Sequence, residues 1–270
     1  MVNENVEQNK PLAYILGNQP FHPLPLPLIV RPPTLIPRPE TEYWVAELAR
    51  RLITDWHKDQ TTESRTRPLR VLDIGTGSGC IPLALAFALK QEGISIETVG
   101  VDISDSAVAL ACENIDLFKQ WLGDSVKIRK ADVFAPDFVD SISSQVDRMD
   151  DLSAPFDVVV SNPPYIPRAE YEELDRSVID WEDRGALLGD RTRARADGLE
   201  YYEQIVKLLD RLVSQTGKQS LGSVAVAFEV GRGQHCAVAD MLAGVGLDSE
   251  VVKDQWAVDR LVLGLRSTSI

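Results

Sequence analysis

The sequence predicts an α/β fold, a mostly parallel seven-stranded sheet preceded by a short β-hairpin, and three observations carry that expectation. From Leu69 onward, apolar β-branched runs alternate with helical patterns, as they do where parallel strands are joined by right-handed crossover helices. The run Phe156-Asp157-Val158-Val159-Val160 stops at Ser161-Asn162-Pro163-Pro164-Tyr165, which reads as a buried strand ended by two residues that cannot donate a ladder hydrogen bond. Two final strands, near Ser249–Lys253 and Arg260–Leu265, have no helical segment between them and are expected to pair antiparallel at one edge.

Before Leu69 the chain is different. Prolines 11, 20, 23, 25, 27, 32, 33 and 37 exclude a helix between residues 11 and 37, and the alternation of Leu24, Leu26 and Leu28 with prolines predicts an edge strand or hairpin. A helix is predicted from Thr41, with Trp44, Val45, Leu48, Leu52 and Ile53 at helical spacing, ending in a polar loop from Thr54 to Pro68.

The alternating region then unfolds in order. A strand at 70–74 ends in the turn Gly75-Thr76-Gly77-Ser78-Gly79, followed by a helix from Ile81 to Leu89 that admits Pro82 in its first turn. A strand at Ile96–Val101 ends at Asp102, a helix follows a Ser104 or Asp105 cap, and a third strand at Val126–Arg129 ends at Asp132. Residues 135–155 lack a clean period and read as a long surface connection. After the fourth strand, an amphipathic helix is predicted at Gly198–Leu212, a strand at Val224–Val230 and a helix at Gln234–Leu242. Three units follow: residues 1–10 as a disordered tail, 11–68 as hairpin and lead-in helix, and 69–270 as the main domain.

Composition narrows the partners. With 270 residues, of which 44% are hydrophobic, the chain can bury a full core. Against 28 Lys and Arg stand 41 Asp and Glu, and the net charge of -13 disfavours broad binding to nucleic acid. Cys80, Cys112 and Cys236 are scattered and odd in number, and His22, His57 and His235 form no paired motif, so neither a disulfide framework nor a metal is expected. No run approaches the ~20 apolar residues of a membrane helix. The cytosol is the expected compartment, with a mitochondrial location open if a native presequence has been removed.

The chemistry-bearing residues gather at strand ends. Glycines 75, 77 and 79 let backbone approach a ligand, and the following helix start offers free amide donors. Asp102 is placed where a carboxylate accepts from a ribose diol, and Asp73 and Asp132 end the flanking strands in like manner. Val133 and Phe134 either flank an adenine or belong to the core. Beyond this nucleoside pocket, the Asn162 side-chain carbonyl and the Pro163 backbone carbonyl offer two acceptors that can orient a planar NH2 group. Tyr165 either packs on that planar group or lies in the core.

With these residues the chain resembles a known family. Asp73-Ile74-Gly75-Thr76-Gly77-Ser78-Gly79 with Asp102 is similar to the cofactor site of Rossmann-like class I S-adenosyl-L-methionine-dependent methyltransferases, and Asn162-Pro163-Pro164-Tyr165 to their amino-methylating motif. Pro11–Gly17, Phe21 and Leu35–Glu42 resemble the hairpin and helix of the HemK-like release-factor glutamine methyltransferases. Glu182, Ala186-Leu187, Asp197-Gly198-Leu199 and Phe228-Glu229-Val230-Gly231 with Gln234 resemble that family's later segments.

The resemblance implies methyl transfer from S-adenosyl-L-methionine to the glutamine of the Gly-Gly-Gln motif of a translation release factor. It implies that Phe21, Pro164 and Tyr165 border the glutamine while Asn162 and Pro163 hold its amide. Asp73, Gly75, Thr76, Gly77, Gly79, Asp102, Ile103, Asp132, Val133 and Asn162 would contact the cofactor, with Arg38 and Glu42 beside the cofactor end of the pocket or paired with each other on the surface.

A monomer is expected, with transient proximity to the ribosome or RNA through Arg191, Arg193 and Arg195, or else a solvated loop there. Family members commonly carry a helical amino-terminal domain before the hairpin, where ten residues precede Pro11 here; that implies incomplete docking of the release factor or a shortened form. Competing readings are a ribosomal-protein glutamine methyltransferase, a nucleic-acid amino-methyltransferase and a non-catalytic cofactor-binding subunit.

Overall fold

In a computed structural model the described residues are 9–58, 67–143, 156–192, 196–213 and 223–266. Seven strands form one sheet in the order β5-β4-β3-β6-β7-β9-β8. These are β3 (Leu69–Ile74), β4 (Ile96–Asp102), β5 (Val126–Lys130), β6 (Val158–Ser161), β7 (Val224–Glu229), β8 (Leu247–Lys253) and β9 (Asp259–Arg266). β3 to β7 run parallel, whereas β9 is antiparallel to both β7 and β8. A separate two-stranded hairpin joins β1 (Asn18–Gln19) to β2 (Leu28–Ile29).

Period-2 alternation along the strands divides the core between the two faces. On one face Val71, Val158 and Val160 pack with α2 (Pro39–Lys58), α3 (Cys80–Gln91) and α4 (Asp105–Leu122), through Trp44, Leu48, Leu83 and Phe118. On the other, Leu72, Val159 and Phe228 pack with α5 (Phe138–Ser143), α9 (Glu200–Leu212) and α10 (His235–Ala243), through Phe138, Tyr202 and Val238. Phe21 and Leu28 belong to the first cluster, so the proline-rich segment is packed onto the sheet's own core.

Two expectations fail. Residues 11–37 do contain a helix, α1 (Leu12–Leu16): Pro11 caps its start, where a missing amide costs nothing, and Gly17 at φ 73° ends it. The 135–155 connection begins with α5, whose Phe138, Val139 and Ile142 are buried; residues 144–155 lie outside the described set. α2 also starts earlier than predicted, at Pro39, with the Arg38 carbonyl accepting the Glu42 amide at 3.1 Å. Thr41 is thus inside the first turn and its hydroxyl is free to bond elsewhere.

One buried amide ties the hairpin to the sheet's ligand edge. Asn114 of α4 accepts the Ile29 amide at 2.8 Å and donates to the carbonyls of Ile29 at 3.1 Å and Ser78 at 2.9 Å. No described helix is long and apolar enough to cross a membrane.

Candidate active site

β3 is the first strand laid down in the sheet, and its successors go to opposite sides: β4 on one flank and β6 on the other. This switch point is where open α/β sheets bind ligands, beyond the carboxyl ends of the strands. Ile74 is in register with both Val101 and Ser161, so Gly75, Asp102 and Asn162 leave the sheet at one level. The Ser161 hydroxyl donates to the Ile74 carbonyl at 2.6 Å and fixes that level.

The turn after β3 is backbone-built. Gly75, Gly77 and Gly79 take φ values of 77°, 55° and 81°, a left-handed region that favours glycine. Amides of Gly75 and Thr76 donate to the Val101 carbonyl at 2.8 and 3.0 Å, and the Gly77 amide donates to Asp102 Oδ2 at 2.9 Å. Ser104 holds the other Asp102 oxygen with its amide at 2.9 Å. The Asp102 carboxylate is therefore rigid yet keeps lone pairs for a ligand; burial raises its pKa, opposed by these amides.

A cavity of about 270 Å³ opens here. Gly75, Gly77, Asp102, Ile103, Asp132 and Val133 line it together with Asn162, Pro163 and Pro164. Asp73, Thr76 and Gly79 lie off its wall. Asp73 is fully buried beneath the turn and closes no full hydrogen bond; burial pushes its pKa up to about 7, with the Thr76 hydroxyl beside it pulling the other way.

Arg191, expected as a partner-facing or solvated arginine, is exposed and also borders the cavity. Its guanidinium pairs with Asp132 Oδ1 at 3.3 Å and lies 4.2 Å from the Phe134 ring, and it lines the cavity together with Tyr201. An acid at the end of β5 and an adjacent ring together draw the cation inward. Arg193 and Arg195 lie outside the described residues.

Other expected site residues sit elsewhere. Phe21 is in the apolar core beside Leu28 and Trp44. Arg38 bonds the buried carboxyl of Glu182, whose pKa is raised by burial, while Glu42 accepts the His22 amide at 2.9 Å. Both therefore fasten segments together, and Thr34, Leu35, Asp183, Gly185 and Ala186 take the cavity wall on that side. Leu35 and Ala186 fall in segments that resemble the family, whereas nothing in the sequence singled out Thr34, Asp183 or Gly185; Asp183 accepts the Gly185 amide at 2.8 Å and caps α8 (Arg184–Leu187), which follows α6 (Arg168–Tyr171) and α7 (Arg176–Ile179).

Tyr165 borders a second cavity of about 370 Å³ with Gly231, Gln234 and Arg260. Its side chain is half-buried, and burial raises the phenol pKa. Gln234 braces the motif: its amide nitrogen donates to the carbonyls of Tyr165 and Asp197, each at 2.9 Å, and its oxygen accepts the Gly231 amide at 2.9 Å. Gly198, at φ 70°, abuts the Tyr165 carbonyl so closely that a Cβ would collide with it.

The donor set fits a nucleoside-bearing methyl donor. Asp102 suits a ribose diol, Asp132 an exocyclic amine, Ile103 and Val133 the faces of a base, and the glycine turn leaves space against backbone. Fold and cavity together define a methyltransferase of the class I type, and the family described as "Methyltransferase domain" matches residues 66–210. S-adenosyl-L-methionine is the cofactor of that class, and this cavity fits it.

Among curated proteins, the release factor glutamine methyltransferase of Flavobacterium psychrophilum is 34% identical over 213 residues, covering 79% of this chain and 62% of that protein. Its counterpart from Geobacter sulfurreducens is 34% identical over 258 residues, covering 95% of this chain and 74% of that protein. The Bacillus subtilis counterpart is 31% identical over 97% of this chain and 78% of its own length. The chain belongs to the release factor glutamine methyltransferase family. It spans only 62% and 74% of the first two relatives. A solved structure described as human methyltransferase 10 domain containing protein matches with a TM-score of 0.52 at 17% identity, over 86% of this chain and 84% of that one, a likeness of fold.

Proposed function

We propose that this chain is a protein-glutamine N5-methyltransferase that modifies the glutamine of the Gly-Gly-Gln motif in a translation release factor. The observation that carries the reading is that Asn162 and Pro163, with a side-chain amide and a backbone carbonyl as acceptors, line the same cavity as Asp102 and the glycine turn. The names of the relatives support the choice of a release factor as substrate.

S-adenosyl-L-methionine supplies an electrophilic methyl group when bound. Gly75, Gly77, Asp102, Ile103, Asp132 and Val133 would hold it. A glutamine amide is a weak nucleophile because its lone pair is delocalised into the carbonyl, so orientation carries most of the rate. Asn162 Oδ1 and the Pro163 carbonyl accept the two amide protons, turn the nitrogen toward the donor end of the cavity and stabilise positive charge as it grows on that nitrogen. The double proline keeps the second acceptor from swinging away. No strong base is needed, since a methylated amide nitrogen bearing charge loses its proton readily to water.

The test is incubation with S-adenosyl-L-methionine and an unmodified release factor, followed by peptide mass spectrometry. One added methyl on the Gly-Gly-Gln glutamine is the expected result. Modification at another residue, or of a ribosomal protein or nucleic acid instead, rejects the substrate.

A further inference from the structure

Asn162 can serve as an acceptor only if its side-chain amide is turned the right way, and an amide rotated by half a turn presents NH2 in place of oxygen. The surroundings of Asn162 decide which way it turns. Two buried groups, Thr41 and Glu229, and the half-buried Asn162, from three distant parts of the chain, form one hydrogen-bonded line.

Glu229 ends β7 and is 1% exposed. Its Oε2 accepts from the Trp44 indole nitrogen at 2.6 Å and from the Thr41 hydroxyl at 2.6 Å. An indole N–H only donates, and a carboxyl oxygen that carries no proton only accepts; burial raises the Glu229 pKa, and the hydrogen bonds from Thr41 and Trp44 pull it back toward the ionised form. The single Thr41 proton is therefore committed to Glu229, and Thr41 Oγ1 has only lone pairs left for its other neighbour. That neighbour is Asn162 Nδ2, at 3.3 Å, which donates to it. A reversed amide would set Asn162 Oδ1 against Thr41 Oγ1, acceptor against acceptor, with no proton left to join them. The held orientation leaves Oδ1 without a protein partner among the described residues, on a side chain that lines the cavity.

We propose that Thr41 and Glu229 are positioning residues for methyl transfer: they polarise a hydrogen-bond line that locks the Asn162 amide with its oxygen toward the substrate. This rests on the reading of Asn162 as the amide-holding residue. Neither residue touches the cavity, so neither binds cofactor, and their effect is confined to the orientation of the acceptor. α2 and β7 thereby become parts of the site although they contribute no lining residue.

Thr41→Val keeps shape and removes the hydroxyl, so the amide loses its reason to prefer one face. The expected result is a kcat lower by ~10–100-fold, the scale of one or two hydrogen bonds, with the cofactor Kd within about threefold of wild type by calorimetry. Thr41→Ser restores the hydroxyl and is expected to recover activity to within about threefold of wild type. An Asn162→Asp background supplies the decisive control. A carboxylate presents an oxygen to the cavity whichever way it is rotated and sets its other oxygen against Thr41 Oγ1, acceptor against acceptor, so Thr41→Val is expected to cost no further activity there and to relieve that clash.

Equal losses from Thr41→Val in the Asn162 and Asn162→Asp backgrounds would overturn the proposal, as would an unchanged kcat in Thr41→Val. A Thr41→Val protein with a cofactor Kd weakened as much as kcat would also overturn it, because the residue would then be structural. These outcomes are separable from failure of the proposed substrate, which would show as absent modification by the wild-type enzyme itself.

Discussion

The two turns at the ligand edge leave the same sheet at the same level and are built from opposite materials. The turn after β3 uses three glycines at positive φ, held by amides on the Val101 carbonyl and on Asp102, and it makes room. The turn after β6 uses two prolines and is braced through side chains, by Thr41 against Asn162 and by Gln234 against the Tyr165 carbonyl, and it gives direction. A cofactor with many polar atoms can be held by a cradle of backbone. A weak nucleophile with one nitrogen needs a fixed acceptor, and fixing it draws on residues from all over the chain.

That contrast predicts that the second turn fails in turnover and the first in binding. Asn162→Ala is expected to lower kcat by ~10²–10³-fold while leaving the cofactor Kd within about threefold, read by methyl-transfer kinetics and calorimetry. Equal loss of both would erase the division of roles between the turns.

Glycines in the two regions break differently too. Gly198→Ala meets the Tyr165 carbonyl on top of its strained φ and is expected to cost about 3 kcal/mol or more in urea denaturation. Gly77→Ala has a positive φ but open space around its Cβ, and about 1 kcal/mol is expected. Asp102→Asn is expected to weaken the cofactor by ~10–100-fold and to recover most of kcat at saturation, since the loss is of charge-assisted hydrogen bonds in binding.

The smallest effect concerns Asp73, under the first turn. Its carboxyl in the fold is raised from 3.8 to about 7, so the folded state holds the proton more tightly than the unfolded chain. The stability this contributes is full below the unfolded pKa and is lost as pH rises through about 7. Cofactor-free protein is thus expected to show a larger fall in melting temperature from pH 4 to pH 8 than Asp73→Asn, with the difference between the two curves isolating this group.

Much of the site was legible because the relevant signals are local. Asp73, Asp102 and Asp132 each stand at or just past the carboxyl end of a strand pattern, and Asn162-Pro163-Pro164 interrupts another. A strand that stops abruptly announces what it presents. The helix at Leu12–Leu16 was hidden because prolines around it suggested extended chain throughout, although Pro11 sits where a helix tolerates it. Tyr165 and Phe21 are substrate contacts by resemblance alone; their places, at the second cavity and in the core, follow from packing that no local signal records.

What the sequence determined by itself was the alternation of elements, the parallel sheet it implies, and the chemistry carried at each strand end, because period and turn residues act over a few positions. What only the tertiary structure decided was which remote groups complete the site. Thr41 and Glu229 stand 188 residues apart and meet because α2 crosses the face of β7; Arg191 reaches the cavity because Asp132 draws it there. Such pairings depend on burial and hydrogen-bond partners across the fold, and no periodicity along the chain records them.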